Sequence, residues 1–424
     1  MEIMDKPLTK NIRPDRAFAT LADYESTGGY QGLRKAVTEL QPKDVQQWVK
    51  DAGLRGRGGA GFGTGLKWSL VPLDDKPQTR YLVANADEME PGTFKDRMLL
   101  EQDPHQLIEG MIIAAYAIQA NRAYIFLRGE YHVAKLRLEQ ALLEAKSKGY
   151  LGEHVLDSEF SLDIVLHTGA GRYICGEETA LLNALEGKRA TPRAKPPFPL
   201  VSGLWGKPTV VNNVETLCNV PHILHYGVEW YQGLGLGVDK GTKLFGASGR
   251  VKHPGLWELP MGTPIREIIE QHAGGMRDGY KLRGFLPGGA STDFLLPEHL
   301  DVVMDFEAVA KAGSRMGTGT IIVLDDKTCP VQMVLNLEQF FAQESCGWCT
   351  PCRDGLPWTV ALLKDIIGGK GRIEDLDTLA GLTRMLGPGN TFCALAPGAV
   401  EPLQSALKYF REDFERYIAM ESVQ

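Results

Sequence analysis

Cys346-Gly-Trp-Cys349-Thr-Pro-Cys352 is followed by Cys393 after forty intervening residues, and a fold that uses these thiols together must make them converge. Three cysteines at two-residue spacing suit three corners of an iron–sulfur cubane, and a more distant cysteine supplies the fourth. Structural zinc is the chemical competitor, although its sites generally use two separated pairs. The spacing therefore points to a [4Fe–4S] cluster on Cys346, Cys349, Cys352 and Cys393. Cys175, Cys218 and Cys329 are scattered in apolar surroundings and read as buried, inert thiols. Seven cysteines, odd in number and unevenly spaced, do not suggest a secreted disulfide framework. A chain of 424 residues has core enough without a cluster, so one-electron transfer is the natural task, and it needs an electron source.

Ahead of the cysteines the apolar pattern alternates. Residues 1–42 show no strong periodicity and are expected to wrap the surface. Pro42-Lys43-Asp44 opens a short helix. Strands are expected at Tyr81–Ala84, Ala123–Leu127 and Leu162–Leu166, separated by helices after Asp103-Pro104 and from Tyr131 to Lys148. Such alternation predicts a parallel or mixed sheet covered on both faces. The proline-rich stretch from Thr191 to Pro199 must be a loop, because proline lacks an N–H. Past Gly241 the pattern changes to short strands at Lys243–Gly246, Gly255–Leu259 and Thr320–Leu324, with a helix at Pro264–His272. From about Val331 only amphipathic helices follow.

The segment GLRGRGGAGFGTGLKW, residues 53–68, has seven glycines in the thirteen positions from Gly53 to Gly65. Gly56 to Gly61 satisfies G-x-G-x-x-G, but a dinucleotide turn needs a strand before it, and here a helix precedes. It is not a Walker A loop either, since Lys67 does not directly follow a glycine. A flexible linker is the plain alternative, yet Arg57, Phe62, Lys67 and Trp68 are unusual on a free hinge. Glycines let backbone N–H groups approach an anion closely, and Phe62 offers a face to an aromatic ring. A cradle for a phosphorylated, aromatic cofactor fits better.

Polar segments recur where strands end or helices begin: Asn85-Ala-Asp87-Glu88-Met-Glu90, then Tyr173-Ile-Cys-Gly176-Glu177-Glu178, then Asn212-Asn213. Open α/β sheets bind ligands at such ends. Glu177 and Glu178 also read simply as first-turn carboxylates favoured by the helix dipole, and Phe198 as a pin for the proline loop.

In order, GRGGAGF…GLKW, NADEMEPGTFKDR, GAGRYICGEETAL, KPPFP, GKPTVVNNVET and ESCGWCTPCRDG resemble the NADH-binding flavoprotein (F) subunits of respiratory complex I, from residue 53 to 393. The resemblance implies an α/β Rossmann-like FMN- and NADH-binding domain with an N-terminal extension over residues 1–239. A small β-grasp (ubiquitin-like, SLBB-like) domain over 240–328 and a C-terminal helical bundle carrying the cluster over 329–424 would follow. FMN would face Gly56, Arg57, Gly58, Lys67, Asn85, Asp87 and Glu88. Tyr173, Gly176, Glu177, Val211, Asn212, Asn213, Thr216, Ala394 and Leu395 would complete its pocket. NADH would lie over the flavin against Phe62, Glu90, Glu178, Lys195 and Phe198. A carboxylate such as Glu178 near the adenosine ribose accepts hydroxyls and repels a 2′-phosphate, which predicts preference for NADH over NADPH. Leu70 stands where some members have phenylalanine near the adenine.

The implied activity is that of the flavoprotein component of an FMN-dependent NADH:quinone oxidoreductase: NADH gives hydride to FMN, and electrons pass singly to the cluster and onward. The cofactors carry the chemistry, so no acid–base pair is named. Implied partners are other peripheral-arm subunits of complex I, notably a [2Fe–2S] thioredoxin-like subunit (E) and a multi-cluster subunit (G). The alternative is a diaphorase subunit of an NAD-linked hydrogenase or formate dehydrogenase. Net charge −7 argues against nucleic acid and anionic lipid as partners. The acidic N-terminal residues do not resemble a targeting signal, and the apolar run from Met111 to Ile118 is too short to span a bilayer. The expected location is cytoplasmic, on the inner membrane's cytoplasmic face, reaching the membrane only through the complex.

Overall fold

The computed structural model describes residues 5–15, 17–73 and 78–419. Its first sheet holds β1 (Tyr81–Ala86), β2 (Arg122–Leu127), β3 (Asp163–Thr168) and β4 (Thr209–Asn213), all parallel, in the order β3-β2-β1-β4. Central strands of a parallel sheet are covered on both faces, so they read as apolar runs rather than alternations. Leu82 to Ala84 and Ala123 to Leu127 are accordingly buried, whereas the edge strand β3 keeps a mixed face. The helices Pro104–Ile118 and His132–Ser147 make the crossovers that parallel pairing requires. Strands β1 to β3 step one way, and β4 returns on the other side of β1. This reversal is the point where such sheets open a ligand crevice at their carboxyl ends. The parallel α/β arrangement is Rossmann-like.

The second sheet runs β6-β5-β8-β7, with β5 (Thr242–Ser248), β6 (Gly255–Pro260), β7 (Leu282–Leu286) and β8 (Thr320–Asp325). β5 lies parallel to β8, while both outer pairs are antiparallel. A separate apolar core fills it, with Phe245, Ile268 and Phe285 fully buried. The sequence pattern missed β7, where Arg283 and Gly284 interrupt the apolar run and the register shifts. The expected Pro264–His272 helix is shorter, Glu267–His272.

Among the described residues five helices follow: Pro330–Glu344, Thr350–Ile367, Ile373–Leu386, Leu395–Tyr409 and Arg411–Ala419. Their buried leucines share one core with Tyr124, Phe126 and Ile174 of the α/β unit. Among the described residues no helix is long and apolar enough to cross a membrane.

The N-terminal expectation needs correction. Helices occupy Leu21–Ser26 and Gln31–Glu39, and Leu8, Tyr24, Tyr30 and Leu33 are core residues. Glu109 of the first crossover helix accepts the Tyr24 hydroxyl and the Tyr30 and Leu33 amides, at 2.6, 2.8 and 2.9 Å. Glu258 of β6 accepts the Leu8 and Thr9 amides at 3.0 and 2.8 Å. The helices are too short and too separated by glycine to show a clear period.

Candidate cofactor site

A cavity of about 370 Å³ opens at the carboxyl ends of β1 and β4, where the two sheets and the C-terminal helices meet. Its floor includes Gly58, Gly59 and Ala60. The glycine segment is a closed loop. The Gly56 amide donates to the Phe62 carbonyl at 2.9 Å, the Thr64 amide to the Leu54 carbonyl at 2.8 Å, and the Arg57 amide to Thr216 Oγ1 at 2.8 Å. A Cβ on Gly58 would stand 3.0 Å from that of Asn213. Gly61, at φ +66°, leaves only 2.5 Å between a Cβ and the Phe306 ring. The loop precedes β1 rather than following it, so it reaches the crevice from outside.

The Arg57 side chain turns away from the cavity. Its buried guanidinium donates to Tyr231 Oη, the Lys240 carbonyl and the Thr242 carbonyl at 3.2, 2.7 and 3.1 Å. Arg57 thus staples the loop to the start of β5, and only its backbone adjoins the floor. Gly56, Val211, Asn212 and Thr216 likewise stand behind the lining, and Asn212 Oδ1 accepts the Trp68 indole N–H at 2.9 Å. Lys67 donates to the Val211 carbonyl at 2.8 Å and to Glu178 at 3.1 Å.

Beyond β1 the carboxylates divide. Asp87 lines the cavity, is 8% exposed, and neither carboxyl oxygen has a partner. Burial pushes its pKa up to about 7. Glu88 also borders the cavity, but its carboxylate accepts the Asp96 and Arg97 amides and the Tyr131 hydroxyl, capping the helix Lys95–Gln102. Glu88 is thus at the expected cavity, with its carboxylate engaged by the protein. Glu90 accepts from Tyr173 Oη at 2.7 Å and from the Ser291 amide at 2.6 Å. Asn85 donates to the Gly176 carbonyl at 2.9 Å.

Glu177 is the N-cap of the helix Glu178–Leu185, accepting the Thr179 and Ala180 amides, so the plain dipole reading holds for part of its role. Glu178 pairs with Lys67 and Lys195; burial opposes its charge, but the two ammonium groups win and hold its pKa below the usual value. Phe62 and Phe198 are half exposed, at 51% and 55%. Neither they nor Lys67, Glu178 and Lys195 line the cavity itself. The sequence reading missed Lys95, Asp96, Ser291, Arg315 and Thr318, all lining residues. Lys95 and Asp96 sit within NADEMEPGTFKDR, while the other three come from the second sheet's unit.

Cys393, Ala394 and Leu395 form the opposite wall. Cys349 is the N-cap residue of the helix Thr350–Ile367, and Cys352 lies in its first turn. Burial pushes the Cys352 thiol up to about 11 and Cys393 to about 12, and each is influenced by its neighbouring cysteines. Arg189 donates to the Cys346 carbonyl at 2.9 Å, fastening this loop to the α/β unit. Among the described residues no three His, Cys, Asp or Glu side chains converge on a single-ion site. Cys346, Cys349, Cys352 and Cys393 lie in or against one apolar core, and four thiols so grouped suit a cubane, where each thiolate takes its own iron. Cys175 and Cys218 are buried as expected, but Cys329 is only partly so, 3.5 Å from Tyr417 Oη.

Three family descriptions match in order: the Nuo51 FMN-binding domain at residues 49–222, the SLBB domain at 246–295, and the NADH-ubiquinone oxidoreductase-F iron-sulfur binding region at 332–417. They define the class of flavin-binding, iron–sulfur electron-transfer proteins to which the fold conforms. The NADH-quinone oxidoreductase F subunits of Salmonella typhimurium and Escherichia coli are each 61% identical to this chain over 409 residues, 96% of it and 92% of each relative. The corresponding F subunit of Streptomyces coelicolor is 50% identical over 400 residues, 94% of this chain and 88% of its own. The chain belongs to the family of NADH-quinone oxidoreductase F subunits. Among solved structures, an NAD+-reducing [NiFe]-hydrogenase in the H2-reduced state aligns with TM-score 0.84 and 36% identity, covering 95% of this chain and 67% of that one.

Proposed function

We propose that this chain is the NADH-oxidising flavoprotein component of a complex I-type NADH:quinone oxidoreductase, binding FMN and one [4Fe–4S] cluster. The observation that carries the reading is Cys393 in the wall of the cavity whose other side is Gly58, Asn85 and Asp87. FMN held there would supply hydride acceptance from NADH and one-electron release, and a cluster on the neighbouring cysteines would supply single-electron acceptance.

The chain's own work is positioning. Gly58 and Gly59 let backbone come close to the cofactor, and the unpartnered Asp87 carboxyl is free to meet a ligand donor. Gly176, Tyr173, Asn85, Asn213, Ala394 and Leu395 supply the remaining flavin contacts, with Gly56, Arg57, Lys67, Glu88, Glu177, Val211, Asn212 and Thr216 supporting them. Phe62 and Phe198 flank the NADH path, where Lys195, Glu90 and Glu178 meet the dinucleotide. Glu178, at the ribose, disfavours a 2′-phosphate. Cys346, Cys349, Cys352 and Cys393 hold the cluster.

The units divide at 239/240 and 328/329, the second being a β-grasp and the third a helical bundle. Electrons leave toward the E and G partners, for which the half-exposed Trp348 and Phe392, each beside a cluster cysteine, offer a face. The complex places the chain on the cytoplasmic side of the inner membrane. A diaphorase role in a soluble hydrogenase is the second reading, favoured by the hydrogenase neighbour but carrying 36% identity against 61%. The test is the absorption spectrum of anaerobically purified protein. Flavin and iron–sulfur bands bleached by NADH, and hardly by NADPH, are expected; a colourless zinc protein would refute the reading. The identity of copurifying proteins separates the two roles.

A further inference from the structure

The cavity wall contains one buried ammonium. Lys95, the first residue of its helix, is 1% exposed and lines the cavity. Its Nζ lies 2.7 Å from Asp96 Oδ1, 2.9 Å from Glu215 Oε2 and 3.5 Å from Asn213 Oδ1. Burying an ammonium is expensive unless every N–H is matched, and these three acceptors match it. Asp96 turns its second oxygen to Asn213 Nδ2 at 2.6 Å. Both ends of the Asn213 amide are therefore fixed by Lys95 and its partner.

Asn213 is itself a lining residue and the N-cap of the 13-residue helix Val214–Tyr226, accepting the Thr216 amide at 3.3 Å. A helix N-terminus favours an anion, and here a buried cation stands beside it. Behind this layer, Glu215 also accepts Lys243 Nζ at 3.0 Å and the Leu244 amide at 2.8 Å. Lys243 is fully buried and belongs to β5, so the chain of charges runs from the second sheet into the cavity. Lys95, Lys243 and Arg57 gather about Glu215 and hold its pKa down to about 2, while burial pushes Glu88 up to about 7 and Lys243 down to about 8.

We propose that Lys95 is the positioning residue for the phosphate of the flavin nucleotide. It acts through the Asn213 amide and through its own charge at the helix N-terminus, with Lys243 holding it in place by way of Glu215. This rests on the FMN reading above and adds to it the residues that distinguish a phosphorylated flavin from an unphosphorylated one. All three Lys95 N–H groups are spent on protein, so its effect is orientation and field rather than a direct contact.

The test compares FMN with riboflavin on the full-length chain stripped of flavin, by fluorescence titration. Lys95→Met should weaken FMN at least about tenfold, the scale of a partly buried charge acting at a helix terminus, while riboflavin changes less than about threefold. Lys95→Arg, which keeps the charge, should retain most of the preference for FMN. Lys243→Met alters nothing that lines the cavity, and should reduce that preference by about threefold, as expected of a group acting at one remove. It keeps the test open if Lys95→Met does not fold. An unchanged ratio of FMN to riboflavin affinity in the folded variants overturns the inference alone. An unaltered chain that binds neither flavin overturns the FMN reading and this inference with it.

Discussion

On the sheet side of the cavity, polar groups are largely partnered within the protein. Glu88 caps a helix, Glu90 is gripped by Tyr173 and Ser291, and Lys95 is surrounded by acceptors; Asp87 is the exception. On the cysteine side the thiols have weak polar company: Ser345 Oγ at 3.1 Å from Cys352 Sγ, and the Leu395 amide beside Cys393. One wall is therefore shaped before any ligand arrives, whereas the other is completed by what it binds. Metal-ligand bonds then contribute to the folding of the second wall, because such a site does not exist in the unfolded chain.

Replacing a cluster ligand is the most severe challenge to that contrast. Cys349→Ser should abolish the iron–sulfur absorption and loosen the C-terminal helices to proteolysis, yet leave FMN content near normal. Parallel loss of flavin would show that the two walls depend on each other. The converse is Gly58→Val, whose side chain would collide with Asn213. FMN affinity should fall by about a hundredfold, from overpacking in a rigid floor, with iron content retained.

Asp87→Asn probes the exception. A carboxyl whose pKa is raised from 3.8 to about 7 holds its proton in the folded chain after the unfolded chain has lost it. Its contribution to stability is thus complete below pH 3.8 and lost as pH rises to about 7. Thermal melts of the flavin-free protein should show less decline over that window in the variant, and a recovery of about 1–3 kcal/mol at pH 8. FMN binding should weaken in the same protein; identical melts and unchanged FMN affinity would deny Asp87 both roles.

Smaller effects belong at the rim. Glu178→Gln should shift the NADPH-to-NADH ratio of kcat/KM upward by about tenfold, one charge's worth of discrimination. Leu70→Phe should lower KM for NADH by about threefold through one added aromatic contact, since Leu70 is 52% exposed. If either change altered flavin content, the rim could not be treated apart from the floor.

What was legible in the sequence was local. The cysteine spacing, the glycine loop's failure as a dinucleotide turn, and the central strands each depend on neighbours within a few residues. Arg57 and Glu88 stand in the right segments but point in directions the motifs do not reveal, because a motif does not say which way a side chain turns. Arg57 turns to the Lys240–Thr242 backbone and Glu88 to the Asp96 and Arg97 amides, contacts that follow from tertiary packing or a later helix turn. Ser291, Arg315 and Thr318 escaped notice since nothing near them in the chain marks a ligand. Lys95 escaped for another reason: its place inside NADEMEPGTFKDR did not reveal that it would be buried against Glu215 and Asn213.

The hydrogen bonds from Leu8 and Thr9 to Glu258 also set an order of events in time. Leu8 and its acceptor are separated by 250 positions. At roughly 5–20 residues per second, a ribosome needs roughly 12–50 s to make that much chain. The N-terminal segment must wait through that interval for its acceptor. The Lys95 relay waits less, roughly 7–30 s, for the 148 residues that separate Lys95 from Lys243. While the chain is being made, an incomplete flavin floor is therefore the normal state, and the second sheet is the part whose arrival closes it.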